Sequence, residues 1–346
     1  VKTLLTRLLI AVVVGGLGLL AVIAPSMIRS ASAQAVGALD HVTVTPASVS
    51  LTPGATQQYT ATAFDASNNI IPGATFTWSA TSGGSINASG LLTAGSVAGT
   101  YTNAVQASAV FNSITKTGTA SFTVVPGALD HVTVTPTSVS LAPGATQQYT
   151  ATAFDASNNA ISGATFTWSA TSGGSINASG LLTAGTVAGT YTNAVQASST
   201  VNSVTKTGTA SFTVVPGALD HVVVTPASVS LAPSGTQQYT ATAYDASNNV
   251  ISGATFTWSA TSGGSINASG LLTAGAVAGA YTNAVQASTT VNSVTKTGTA
   301  SFTVVPGALD HVVVTPASVS LAPSGTQQYT ATAYDASNNV ISGATF

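Results

Sequence analysis

A block of ninety residues recurs almost letter for letter along this chain. The segment Gly-Ala-Leu-Asp-His-Val opens at Gly37, Gly127, Gly217 and Gly307. Copies 37–126 and 127–216 differ at nine positions, and copies 127–216 and 217–306 also differ at nine. The copy that opens at Gly307 matches the third through Phe346. A long internal period dictates an array of like units stacked in series. Such an array repeats one surface along a line, whereas most ligand and active sites are single, asymmetric pockets.

Within one copy the apolar residues alternate with a period of two. Leu39–Pro46 reads as a strand with Val42 and Val44 on one face and His41, Thr43 and Thr45 on the other. Gln57–Asp65 places Tyr59, Ala61 and Ala63 together, and Thr75–Ala80 pairs Phe76 with Trp78. Short strands around Ile86 and Leu91–Thr93 flank the turn Asn87-Ala88-Ser89-Gly90. Thr100–Ser108 alternates with Tyr101, Val105 and Ala107 on one side. Thr119–Val125 closes the unit with Ala120, Phe122 and Val124 inward. Turn sequences such as Thr52-Pro53-Gly54, Pro72-Gly73 and Ser82-Gly83-Gly84 separate these runs. The expectation is all-β: tandem antiparallel immunoglobulin-like sandwiches of about seven strands each.

Composition narrows the chemistry. Charged residues make up 4% of the chain, with neither Glu nor Cys anywhere. Apart from Lys2, Arg7 and Arg29 the chain carries three Lys and eight Asp, which argues against a nucleic-acid partner. No disulfide staples a unit, so burial must hold it. At the N-terminus, Lys2 and Arg7 precede an uninterrupted apolar run from Leu8 to Ala24. The small-x-small sites Ala31-Ser32-Ala33 and Ala33-Gln34-Ala35 follow. This is an export pattern: 1–35 reads as a hydrophobic helical signal peptide, or as a signal anchor holding the membrane through residues 4–24. The domain expectation is therefore 1–35 for export, full repeats at 37–126, 127–216 and 217–306, and a truncated fourth at 307–346. Residues 307–346 hold two strands and the start of a third, too little for a sandwich, and with Val at position 1 the chain reads as a fragment.

The unit resembles the bacterial immunoglobulin-like domains of group 2. The matching residues are Val42-x-Val44-x-Pro46, Leu51-x-x-Gly54, Gln58 through Ala63, Asp65-Ala66-Ser67-Asn68, Thr77-Trp78-Ser79, Ser89 through Ala94, and Ala98-Gly99-Thr100. The group 1 domains of invasin- and intimin-type adhesins are the nearest confusion. The resemblance implies an exported spacer or adhesion module at the cell surface or secreted. Its ligands would lie on host cells, neighbouring cells or polysaccharides. It implies no catalytic residue to carry over, and neither a cofactor nor a metal site is expected.

Each candidate site has a plainer reading beside it. Asp40-His41 and its copies at 130–131, 220–221 and 310–311 suggest a dyad, but strand neighbours point to opposite faces, so the pair is expected to share no hydrogen bond. Asp65, Asn68 and Asn69, with Asp130 at the next junction, suggest calcium; an Asx turn is the simpler account. Trp78, Trp168 and Trp258 could line a sugar groove, but their pairing with Phe76, Phe166 and Phe256 places them in the core. Phe64 and Phe154 become Tyr244 and Tyr334, which suggests a partly exposed ring. Asn87, Asn177 and Asn267 spell a glycosylation acceptor, for which a simple turn is the stronger reading. Differences among copies at Ile70, Pro72, Ala109–Phe111 and Ile114 are expected in two loops at one end of the sandwich. Only Gly127 and Ala128 separate Pro126 from the next strand, so consecutive units should abut in a semi-rigid rod. The functional expectation is a non-catalytic surface stalk or adhesin-like module. The alternative is the spacer array of a secreted enzyme or effector whose active domain lies beyond Phe346.

Overall fold

The computed structural model of the chain describes residues 36–346, so the export segment 1–35 lies outside the described residues. The chain divides into two compact units. Among the described residues, one comprises those up to Ser50 with Thr56–Ala94 and Thr100–Thr123; the other comprises Leu51–Ala55, Gly95–Gly99 and Val124–Phe346. Every regular element among the described residues is a strand.

In the first repeat the strands are β1 (Leu39–Thr45), β2 (Ser50–Leu51), β3 (Thr56–Gln58), β4 (Thr60–Asp65), β5 (Phe76–Ala80), β6 (Gly84–Ile86), β7 (Leu91–Ala94), β8 (Gly99–Phe111) and β9 (Ile114–Val124). The second repeats them as β10 (Leu129–Thr135), β11 (Ser140–Leu141), β12 (Thr146–Gln148), β13 (Thr150–Asp155), β14 (Thr167–Ala170), β15 (Gly174–Ile176), β16 (Leu181–Ala184), β17 (Gly189–Val201) and β18 (Val204–Val214). The third runs the same course from Leu219–Thr225 to Val294–Val304.

The nine segments are seven strand runs, two of them interrupted. In the second repeat the sheets are β10-β13, β12-β16-β15 and β11-β18-β17-β14. Between β10 and β11 the chain passes the cis Thr135–Pro136 bond and changes sheet. Between β12 and β13 it changes sheet at Tyr149, whose N–H donates to Gly180 O (2.8 Å) instead of to a ladder. Strand β11 pairs parallel with β18, so the sandwich is not purely antiparallel as expected. The physical reason is direction: the first and last runs point the same way, and the first run's second half crosses to the last.

Core and surface follow the alternation. Tyr149, Leu182, Val195 and Phe212 are each at most 1% exposed. Burying side chains of this size contributes about 1.5–3 kcal/mol each. Trp168 packs against this cluster but stays partly exposed, so it lies at the core's margin. Strict alternation fails in β17. The register shifts between Tyr191 and Val195, with Asn193 at φ 53°, so consecutive Ala194 and Val195 both reach the core.

The expected loop at 109–114 is not one. Ala109–Phe111 and Ile114 belong to β8 and β9, joined by the two-residue turn Asn112-Ser113 at φ 48° and 63°. Two successive residues at positive φ match the turn whose twist suits a hairpin, so the strands run on to their tips. In the fourth copy Leu309–Thr315 pairs with Thr330–Asp335. Its apolar face is open: Leu309 is 61% exposed where Leu219 is 4%.

Candidate functional site

In each repeat a buried aspartate closes the strand that pairs with the repeat's first strand. Asp245 closes its strand at 1% exposure. Its Oδ1 accepts from Ser247 N (2.9 Å) and Asn249 N (2.8 Å), and its Oδ2 accepts from Gly217 N (2.7 Å) and Asn249 Nδ2 (2.9 Å). This is an Asx-type turn, as the sequence suggests, with an added bond that ties down the linker glycine. Burial alone would raise the Asp245 carboxyl, but the four donors outweigh it and hold it below the usual carboxylate range. In the first repeat Asp65 is lowered to about 2, chiefly by the Asn69 side chain, then by the Asn69 and Gly37 backbone N–H groups.

Asn249 carries the contact onward. Its Oδ1 accepts from Ala188 N (2.7 Å) and its Nδ2 donates to Thr186 O (2.7 Å). Its orientation is fixed by its partners: a carboxylate and a carbonyl demand the amide nitrogen, and an N–H demands the oxygen. The same clasp joins Asn339 to Ala276 O and Ala278 N (2.8 and 2.7 Å). Within the second unit it also joins Asn159 to Ser96 O and Ala98 N (both 2.8 Å). Residues 96, 186 and 276 are Ser, Thr and Ala, and the clasp reads only their backbone, so the differences among copies leave it intact. Sequence reasoning placed the Asn pair in a local turn and missed this role. The available signal was a second Asn directly after one suited to positive φ; Asn248 takes that conformation at φ 63°.

A cleft of about 320 Å³ lies beside the clasp, lined by Pro143, Gly217, Ala218, Asp245, Ala246 and Ser247. Its one carboxylate is fully engaged by donors, so it presents no free base. Among the described residues no group of three His, Cys, Asp or Glu side chains converges to hold a metal. Asp130 pairs with its own neighbour.

That pairing corrects the expectation for the Asp-His sequence. His131 Nδ1 lies 3.0 Å from Asp130 Oδ2, and the other copies match it at 3.0, 3.0 and 2.9 Å. The cause is the register shift between Leu129 and His131, which breaks the alternation that would hold the two apart. The His131 ring stacks on Phe154 at 5.2 Å, and His221 on Tyr244 at 5.3 Å, so the Phe/Tyr position is half-buried under an imidazole. Both partners of the pair are well exposed, where an ion pair contributes at most about 1 kcal/mol. No nucleophile is hydrogen-bonded to the pair among the described residues.

No protein-family model and no curated protein matches the sequence. Solved structures do. The Escherichia coli adhesin FdeC is 22% identical, over 77% of this chain and 99% of that one, with a TM-score of 0.41. Yersinia pseudotuberculosis InvD is 22% identical, over 88% and 85%, with a TM-score of 0.35. Mouse cadherin-23 EC22-24 is 16% identical, over 77% and 99%, with a TM-score of 0.35. The chain's own residues carry the functional reading.

Proposed function

We propose that this chain is an exported, non-catalytic array of group 2 bacterial immunoglobulin-like modules, serving as a cell-surface stalk or adhesin-like scaffold. The observation behind this reading is the clasp: Asn249 grips the backbone at 186 and 188 while Asp245 holds both Asn249 and the linker at Gly217. A flexible string of beads would need no such contact. A joint made from backbone groups holds consecutive modules at a set spacing and tolerates sequence drift, which is what a stalk requires. The buried Asp245 and Asn249 serve the joint. The stalk would present its modules to ligands on host cells, neighbouring cells or polysaccharide. Small-angle scattering of residues 37–306 tests the reading: an elongated particle is expected, and a compact globule contradicts it. Protease shaving of intact producing cells should release the repeats from outside.

A further inference from the structure

We propose that two copies of this chain join edge to edge, strand β14 of one adding antiparallel to β14 of the other. The equivalent strands Phe76–Ala80 and Thr257–Ala260 offer the same edge. The seam carries the sheet β11-β18-β17-β14 across a two-fold axis into its mate.

Hydrogen bonding leaves this edge open. β14 lies last in its sheet and pairs with β17 alone. Thr171 N–H donates to Ala194 O (2.9 Å), and the same bond recurs at Thr81 and Thr261. It sets the alternation: Thr167 and Ser169 turn their backbone groups toward β17, while Trp168 and Ala170 turn theirs away. Among the described residues nothing pairs with those outward N–H and C=O groups. Phe166, Trp168 and Ala170 pack on the core yet stay half-buried.

The repeat guards its other edges. β11, β12 and β15 are two or three residues long. Beyond β13, Ile161 N–H donates to Ala153 O (2.8 Å). β10 has a register shift beside Asp130, and β18 lies so close to it that a side chain at Gly208 would strike Val132 O. The stretch 204–209 of β18 carries the exposed Lys206, the repeat's one lysine. Short, covered, bulged and charged edges all resist strand addition. β14 has no such guard: no charged residue and no proline lies between Ile161 and Ile176.

This edge fits a second copy of itself. Paired antiparallel about Trp168, the outward groups of one copy meet those of the other, Trp168 on Trp168 and Ala170 beside Phe166. Thr167 then lies opposite Ser169, a hydroxyl pair that favours adjacent strands, and no like charges face each other. Each chain carries the edge three times, which favours a mate that carries it three times as well.

The full chain, kept soluble in mild detergent, tests this through its lack of cysteine. Thr167→Cys and Ser169→Cys both lie on the exposed face of β14. Oxidised as a mixture, the two variants should give a disulfide dimer several-fold above either alone, mapped by peptide mass spectrometry to 167 and 169. Like positions would sit about 7–8 Å apart on the diagonal, too far for a disulfide. A mixture that yields no more dimer than either variant alone overturns the proposal. So does one that yields no more than Thr167→Cys mixed with Thr207→Cys on β18. Ser79→Lys, Ser169→Lys and Ser259→Lys together place charge on all three edges. They should weaken the dimer by about tenfold in sedimentation, with the circular dichroism unchanged. A dimer held by some other surface would survive that substitution, and its survival overturns the proposal.

Discussion

Asn69 in the first repeat and Asn249 in the third occupy the same place in the same turn. Both donate to the preceding Asp, at 3.0 and 2.9 Å. Asn249 also binds the backbone at 186 and 188 and is buried, 8% exposed. Asn69 keeps only its bonds to Asp65 and the adjoining strand among the described residues, and is half-buried. The turn is therefore built by each repeat for itself, and the joint is added when a neighbour's loop is present. One residue serves two purposes, and the two can be separated by mutation.

Removing the carboxylate should have the largest effect. Asp245→Ala strips partners from Gly217, Ser247 and Asn249, and should cost about 3 kcal/mol in the stability of the third repeat while loosening its joint. Chemical denaturation read through Trp258 fluorescence checks the first effect. Acid should do part of the same work. A carboxyl held near 2 when folded, as at Asp65, against about 3.9 unfolded, stabilises fully above the unfolded value. That contribution is lost as pH falls from about 4 through 2, so the first repeat's denaturation midpoint should drop across that window and stay level from pH 5 to 7.

Asn249→Ala sharpens the comparison. It should loosen the joint by about 1–3 kcal/mol, because a loop N–H, a loop C=O and a buried carboxylate each lose a partner. Asn69→Ala loses only the bond to Asp65 and should cost less, in the same denaturation assay. The smallest effect should be a gain. Ser199 and Thr289 bury hydroxyls with no partner, where the first repeat has Ala109. Ser199→Ala should raise the second repeat's stability by about 1 kcal/mol, since an unsatisfied buried hydroxyl is removed at little loss of packing.

Period-two patterning made the β-sandwich legible, because one face of each strand must be buried and the other wetted. Tyr59, Val105 and Phe122 were placed inward from that rule alone, and each is at most 1% exposed. The rule failed where one extra residue enters a strand. At Asp40-His41 a register shift brings together side chains that alternation separates. At Asn193 another sends both Ala194 and Val195 inward. The length of the β8–β9 hairpin was hidden because Asn112-Ser113 reads as loop composition while acting as a two-residue turn. The joint was hidden for a different reason: Asn249 recognises backbone atoms, and no side-chain pattern marks a backbone loop as a partner.

The absence of cysteine permits a direct test of the clasp. Spin labels on Ala178→Cys and Ala268→Cys, exposed turn residues in the second and third repeats, report the distance across one joint by pulsed electron resonance. The account predicts one narrow distance distribution in the otherwise native chain and a broad one after Asn249→Ala. A distribution equally broad before and after that substitution would contradict it.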